Sequence, residues 1–171
     1  MPHVTIPEGM RPLSHVDELV PTLRTAMKEL RRATLDDTSL PFAEIEVIRL
    51  RCAQLNGCET CFDYRMDRDD PVRAARADGR LTSAFYAAVI GEGDTGILTE
   101  REQLIREFCE RFCADHFSLD GDDAFWARLK ERFGDTELVE IGITVMSFAM
   151  SARFNHVLGV DAAACDVPSA A

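Results

Sequence analysis

The stretch from Pro41 to Arg65 constrains this chain more than any other. An apolar run, Phe42-Ala-Glu-Ile-Glu-Val-Ile-Arg-Leu-Arg-Cys-Ala-Gln-Leu, follows a proline and ends at Asn56-Gly57. Proline suits the first position of a helix, where its missing N–H is no loss, and glycine marks the break. The next residues are Cys58-Glu-Thr-Cys61, where a further helix starts. One segment therefore joins a buried-type helix to two thiols spaced to close a small disulfide ring.

The remainder reads as helix as well, with no alternating strand. Ser14 can cap a helix running to Ala33, with Val16, Leu19, Leu23, Met27 and Leu30 on one side. Leu35 to Leu40 is a polar turn. Asp69-Asp70-Pro71 ends or kinks the helix begun at Cys58. Short helices follow at 72–77 and 83–90, then a glycine-rich loop over 91–96. Thr99-Glu-Arg-Glu102 is a capping box. It opens a helix with Leu104, Ile105, Phe108, Cys109, Phe112 and His116 along one side. Another helix spans 122–133. The last, 136–158, is apolar almost all round and is expected to be central. The fold class is all-α, in one domain covering residues 1–171, with loose termini at 1–12 and 160–171.

A domain of 171 residues buries enough surface to fold without a disulfide staple. Its net charge of −11 argues against nucleic acid and anionic membrane as partners. The longest apolar run, Ile141 to Met150, is far short of the roughly 20 residues that span a bilayer. Met1 to Pro12 lacks a charged region followed by an apolar one, so no signal peptide is read and a cytoplasmic location is expected. In that compartment a Cys-x-x-Cys points to catalysis, redox work or metal rather than to a structural bridge. Structural zinc wants four protein ligands. Cys109-x-x-x-Cys113-x-x-His116 is the sole other half available, and its spacing fits a helix stripe better, so no metal is expected.

Glu46 shares its side of the helix with Phe42, Leu50 and Ala53. A carboxylate there is either paired, with Arg49 or Arg73, or held toward its neutral form and able to move a proton. Cys58 and Cys61 fall on one face of a first helical turn, where backbone N–H groups favour a thiolate. Two small buried hydrophobes are the bland alternative. Arg65, one turn after Cys61, could stabilise a thiolate or hold an anion, or simply pair with Asp69 or Glu59. Cys109, Cys113 and His116 read as core packing, yet His116 is the best candidate for an imidazole brought to the thiols by folding. His156 is the second. Cys52 reads as packing, and Cys165 is unassigned.

Glu46, the run Leu-Arg-Cys-Ala-Gln-Leu-Asn-Gly, Cys58 and Cys61 together resemble the carboxymuconolactone decarboxylase / AhpD-like superfamily. Its pattern is Glu, eleven residues, Cys-x-x-Cys, three residues, His, and this chain keeps the first spacing from Glu46 to Cys58. The resemblance implies an AhpD-like helical bundle assembled as a homo-oligomer, with no bound cofactor. It implies an alkylhydroperoxidase-like activity in which Cys61 attacks a hydroperoxide, Cys58 closes the disulfide, Glu46 serves in the proton relay and an external dithiol resets the pair. The chain departs from the pattern at position 65, where Arg65 stands in place of the relay histidine. Thiol–disulfide exchange without peroxide, a decarboxylase-like small-molecule enzyme and an inactive relative therefore stay open.

Overall fold

The computed structural model describes residues 2–161, and among them every regular element is helical. The chain starts with α1 (Pro12–Leu19) and α2 (Pro21–Asp36). The single helix expected from Ser14 to Ala33 is thus two. Pro21 is the cause: a residue before proline is pushed out of the helical region, and Val20 sits at φ −137°, ψ 61°. Ser14 falls inside α1 and makes no capping bond.

α3 (Phe42–Leu55) lies between Pro41 and Asn56, as its flanking residues imply. Three short helices follow where one was expected to run on to Asp69: α4 (Glu59–Asp63), α5 (Met66–Asp69) and α6 (Pro71–Ala74). α7 (Ser83–Ile90) occupies the expected span. α8 (Glu100–Ala114) opens on the expected capping box, with the Thr99 N–H donating to Glu102 at 2.7 Å. α8 ends two residues before His116, because Asp115 caps a new helix, α9 (His116–Asp120). α10 (Asp123–Arg132) and α11 (Asp135–Leu158) complete the chain.

The central helix is α3, not the last one. Every residue from Phe42 to Leu50 is buried, and α3 packs most extensively on α8 and α11. Ile45, Val47, Ile48 and Leu50 project to different sides of α3 and are all fully buried, so its surroundings are protein throughout. α11 covers only one side of it. Ile141, Val145, Phe148, Ala149 and Ala152 face inward, while Val139, Ile143, Met146, Met150 and Val157 remain exposed.

α3 also buries three charges, and each is paired. Glu44 accepts from Arg101 at 2.7 and 3.0 Å, and Arg101 also binds Glu137, tying α3, α8 and α11 together. Burial still holds the Glu44 carboxyl above its ordinary range. Glu46 and Arg49 pair within the helix.

The termini are less loose than expected. The His3 N–H donates to the Leu158 carbonyl at 2.9 Å, and Val160 and Asp161 are buried. The rest of the tail, with Cys165, lies outside the described residues.

Candidate functional site

The thiols are placed by the way α3 ends. Gly57 takes a left-handed conformation (φ +67°) that an L side chain rarely adopts, and a Cβ there would lie 3.2 Å from the His156 ring. Past that turn the Cys58 N–H returns to the Ala53 carbonyl at 3.1 Å, and Cys58 becomes the N-cap of α4. Cys61 follows inside α4 and the two sulfurs are bonded, with Cα atoms 5.3 Å apart. Cys58 is fully buried, whereas Cys61 is half-buried. α4 has five residues, so its field at the thiols is weaker than that of the longer helix expected.

The two sulfurs therefore differ in access. Cys61 forms part of the wall of a cavity of about 280 Å³, together with Arg31, Arg49, Ala53, Tyr64, Phe148 and Ser151 among others. A second cavity of about 220 Å³ shares Arg31, Cys61 and Ser151 as walls and continues past Arg24 and Lys28. Cys58 lines neither. The Asn155 amide nitrogen, on α11, lies 3.9 Å from both sulfurs.

Glu46 takes the paired alternative. Both its oxygens accept from Arg49, at 2.6 and 2.8 Å, with no solvent exposure of the carboxylate. Arg49 then donates to the carbonyls of Cys61 at 2.6 Å and Tyr64 at 2.8 Å. Glu46 thus reaches Cys61 through one guanidinium and the backbone. The same contacts explain why α4 is short. A continuing helix would give the Cys61 carbonyl to the N–H of residue 65. Arg49 occupies that carbonyl, and the Arg65 N–H donates instead to Asp69 at 2.8 Å.

Arg65 accordingly leaves the thiols. It sits in extended backbone as the N-cap of α5, donates to the Phe62 carbonyl and lies 4.9 Å over the Tyr86 ring. It lines a different depression with Asp67, Ser83 and Tyr86. Burial, then the nearby Glu46 carboxylate, push the Tyr86 phenol above its usual range. His116 is exposed at the start of α9 and stacks on Phe117 at 4.2 Å. His156 lies 3.7 Å from Asp161. Among the described residues no histidine donates to or accepts from Cys58, Cys61 or Glu46.

The other described thiols behave as packing. Cys52, Cys109 and Cys113 meet between α3 and α8. Hydrogen bonding to Cys109 holds the Cys52 thiol well above its usual range, and bonding to Cys52 does the same for Cys113. Cys52 and Cys113 are held as neutral thiols, not nucleophiles.

Three residues escaped the sequence reading. Arg49 was considered only as a partner for Glu46. Asn155 lies in the Arg153-Phe-Asn-His156 segment, where attention fell on the histidine; a polar residue closing an apolar helix was the available signal. Arg31 stands one turn after Met27 on the inward side of α2, and a charge in that stripe was the available signal.

No protein-family model matches the chain, and no curated protein sequence does. A solved structure does: a crystallised protein of unknown function from Agrobacterium tumefaciens, described as a candidate antioxidant defence protein AhpD. The likeness has a TM-score of 0.68 at 20% identity, over 84% of this chain and 92% of that one. At that identity it speaks for architecture alone, and the architecture of this chain is the all-helical, AhpD-like fold.

Proposed function

We propose that the protein is a thiol-dependent redox protein of the alkylhydroperoxidase type, cycling Cys58 and Cys61 between dithiol and disulfide. The observation that carries this reading is the asymmetry of the pair: the sulfurs are bonded, and Cys61 alone opens to a cavity. In the reduced protein the Cys61 thiolate attacks the terminal oxygen of a hydroperoxide. The O–O bond breaks, the leaving alkoxide takes a proton from water to depart as an alcohol, and Cys61 becomes a sulfenic acid. The Cys58 thiol then attacks that sulfur, water leaves and the disulfide closes. An external dithiol returns the two electrons.

Cys61 is the peroxide-reactive sulfur because substrate can reach it, and Cys58 resolves from within the core. Glu46 in this reading is a positioning residue. It fixes Arg49, which fixes the Cys61 carbonyl, and the Cys61 proton leaves by the cavity that Cys61 lines. The homo-oligomer implied by the family resemblance remains part of the proposal, and the exposed apolar stripe of α11 favours it.

Stopped-flow reaction of the reduced protein with cumene hydroperoxide tests the reading. Peroxide consumption should fall at least about a hundredfold in Cys61→Ser, the scale of losing a nucleophile. Equal rates in parent and variant would remove Cys61 from the chemistry. Thiol–disulfide exchange without peroxide is the second reading. It is favoured by the lack, among the described residues, of an imidazole bonded to either sulfur, and a disulfide that thiols reduce but peroxide does not form would select it.

A further inference from the structure

Three guanidinium groups line the cavity at Cys61, and two of them are neutralised. Arg49 is held by Glu46, and Arg73 by Asp36 and Asp70 at 2.8 and 2.6 Å. Arg31 is different. Among the described residues it makes no ion pair. Its Nε and one terminal nitrogen contact the Ser147 hydroxyl at 3.4 Å and carbonyl at 3.1 Å. The plane of the group rests 3.8 Å over the Phe148 ring. Stacking and these two bonds fix its direction, and the other terminal nitrogen makes no hydrogen bond among the described residues. Arg31 is also the residue, with Cys61 and Ser151, where the two cavities meet. Burial and then the neighbouring Arg49 charge draw its pKa down to about 10, so it stays cationic at neutral pH in a place short of negative charge.

We propose that Arg31 is an anion-recognition residue, and that the thiol which reduces the Cys58–Cys61 disulfide carries a carboxylate that Arg31 holds. The inference rests on the redox reading above and names the substrate class of the same site. The disulfide is the state in which this cavity stands, so the reactant that meets it is a thiol. A thiolate attacks Cys61 Sγ, the only sulfur of the pair on the cavity wall. The Cys58–Cys61 bond breaks, Cys58 leaves as a thiolate and takes a proton. A second thiol of the reductant attacks the mixed disulfide, forming the reductant's own disulfide and releasing Cys61. Two electrons pass from the reductant to the protein. Apolar walls from Ala53, Tyr64 and Phe148 suit the carbon chain between thiol and carboxylate, and a planar fork such as Arg31 suits the carboxylate.

The global field opposes this choice. With a net charge of −11 the molecule repels anions at long range, so a preference for them must come from the site. The test uses mercaptoalkanoates of increasing chain length and the amide of each, at equal thiolate concentration and 0.15 M salt. Reduction of the Cys58–Cys61 disulfide in the full chain is followed by alkylation and mass spectrometry. At the best chain length the carboxylate should act at least about tenfold faster than its amide, the scale of one charge-assisted hydrogen bond. The ratio should fall towards one in Arg31→Gln and stay above one in Arg31→Lys. Because each ratio is taken within one variant, a uniform change in disulfide reactivity cancels, and circular dichroism excludes a variant that has not folded, whose ratio would also approach one. Ratios near one in the parent at every length, or a ratio unchanged by Arg31→Gln, would overturn the proposal. If neither the mercaptans nor dithiothreitol reduce the pair, the redox reading itself fails.

Discussion

Arg49 is the residue on which the site turns. It accepts the burial of Glu46, ends α4 by taking the Cys61 carbonyl, and so decides where Arg65 points. Removing one partner of a buried ion pair leaves the other charged and unpaired, at a cost of about 3–5 kcal/mol, whereas replacing both by apolar groups is often close to neutral. Arg49→Met should therefore destabilise the protein by about that amount in urea unfolding. The double variant Glu46→Leu/Arg49→Met should recover most of the loss. A double variant no more stable than Arg49→Met would mean the carbonyl bonds, not the Glu46 charge, set the cost. The sequence made Glu46, Cys58 and Cys61 visible because they lie close along the chain at a fixed spacing. It left Glu46 with two alternatives, and packing chose the pair. Arg31 and Asn155 were not legible as site residues, since only the packing of α2 and α11 brings them to Cys61, in the case of Asn155 across 94 residues of chain.

At the scale of elements, most helices were legible in their punctuation. Pro41, Gly57, and Thr99 with Glu102 end or begin helices as their chemistry dictates. The misses have physical causes. Pro21 divides the first helix, Asp115 starts α9 afresh, and a long-range guanidinium truncates α4. The burial of α3 over that of α11 was also hidden, because a helix carrying Glu44, Glu46 and Arg49 looks less apolar than one carrying few charges; its charges are neutralised by pairing. Charge also joins α2 to α6. Asp36 accepts from Arg73 at 2.9 and 2.8 Å, and these bonds first, with the Arg73 and Arg76 charges, hold its carboxyl below the ordinary range. A carboxyl depressed in the folded state binds more protons when unfolded. Its stabilisation is present above the unfolded value of about 3.9 and is lost as pH falls through the folded value. Urea midpoints should thus decline with acidification below about pH 4, and Asp36→Asn should flatten that slope. An unchanged slope in the variant would show that the α2–α6 bridge does not form in solution.

The whole molecule is a helical bundle with one deeply buried helix at its centre and a half-open disulfide at that helix's end. Its all-α class and helix order were accessible from periodicity and caps, and the AhpD-like architecture is matched by a solved structure at only 20% identity. Function is less directly written. The spacing of Cys58 and Cys61 suggests a redox pair, while Arg65 points away from the sulfurs and the structure brings no imidazole to them among the described residues. The proposed function implies a division of labour: Cys58 and Cys61 react, and the remaining described thiols pack. Disulfide mapping by mass spectrometry, on native protein treated first with a reductant and then with one equivalent of peroxide, tests that division most directly. The account predicts alkylation of Cys61 ahead of Cys58 in the reduced protein, a Cys58–Cys61 link after peroxide, and Cys52, Cys109 and Cys113 still recovered as free thiols. A first link formed among Cys52, Cys109 and Cys113, with Cys58 and Cys61 left reduced, would contradict it.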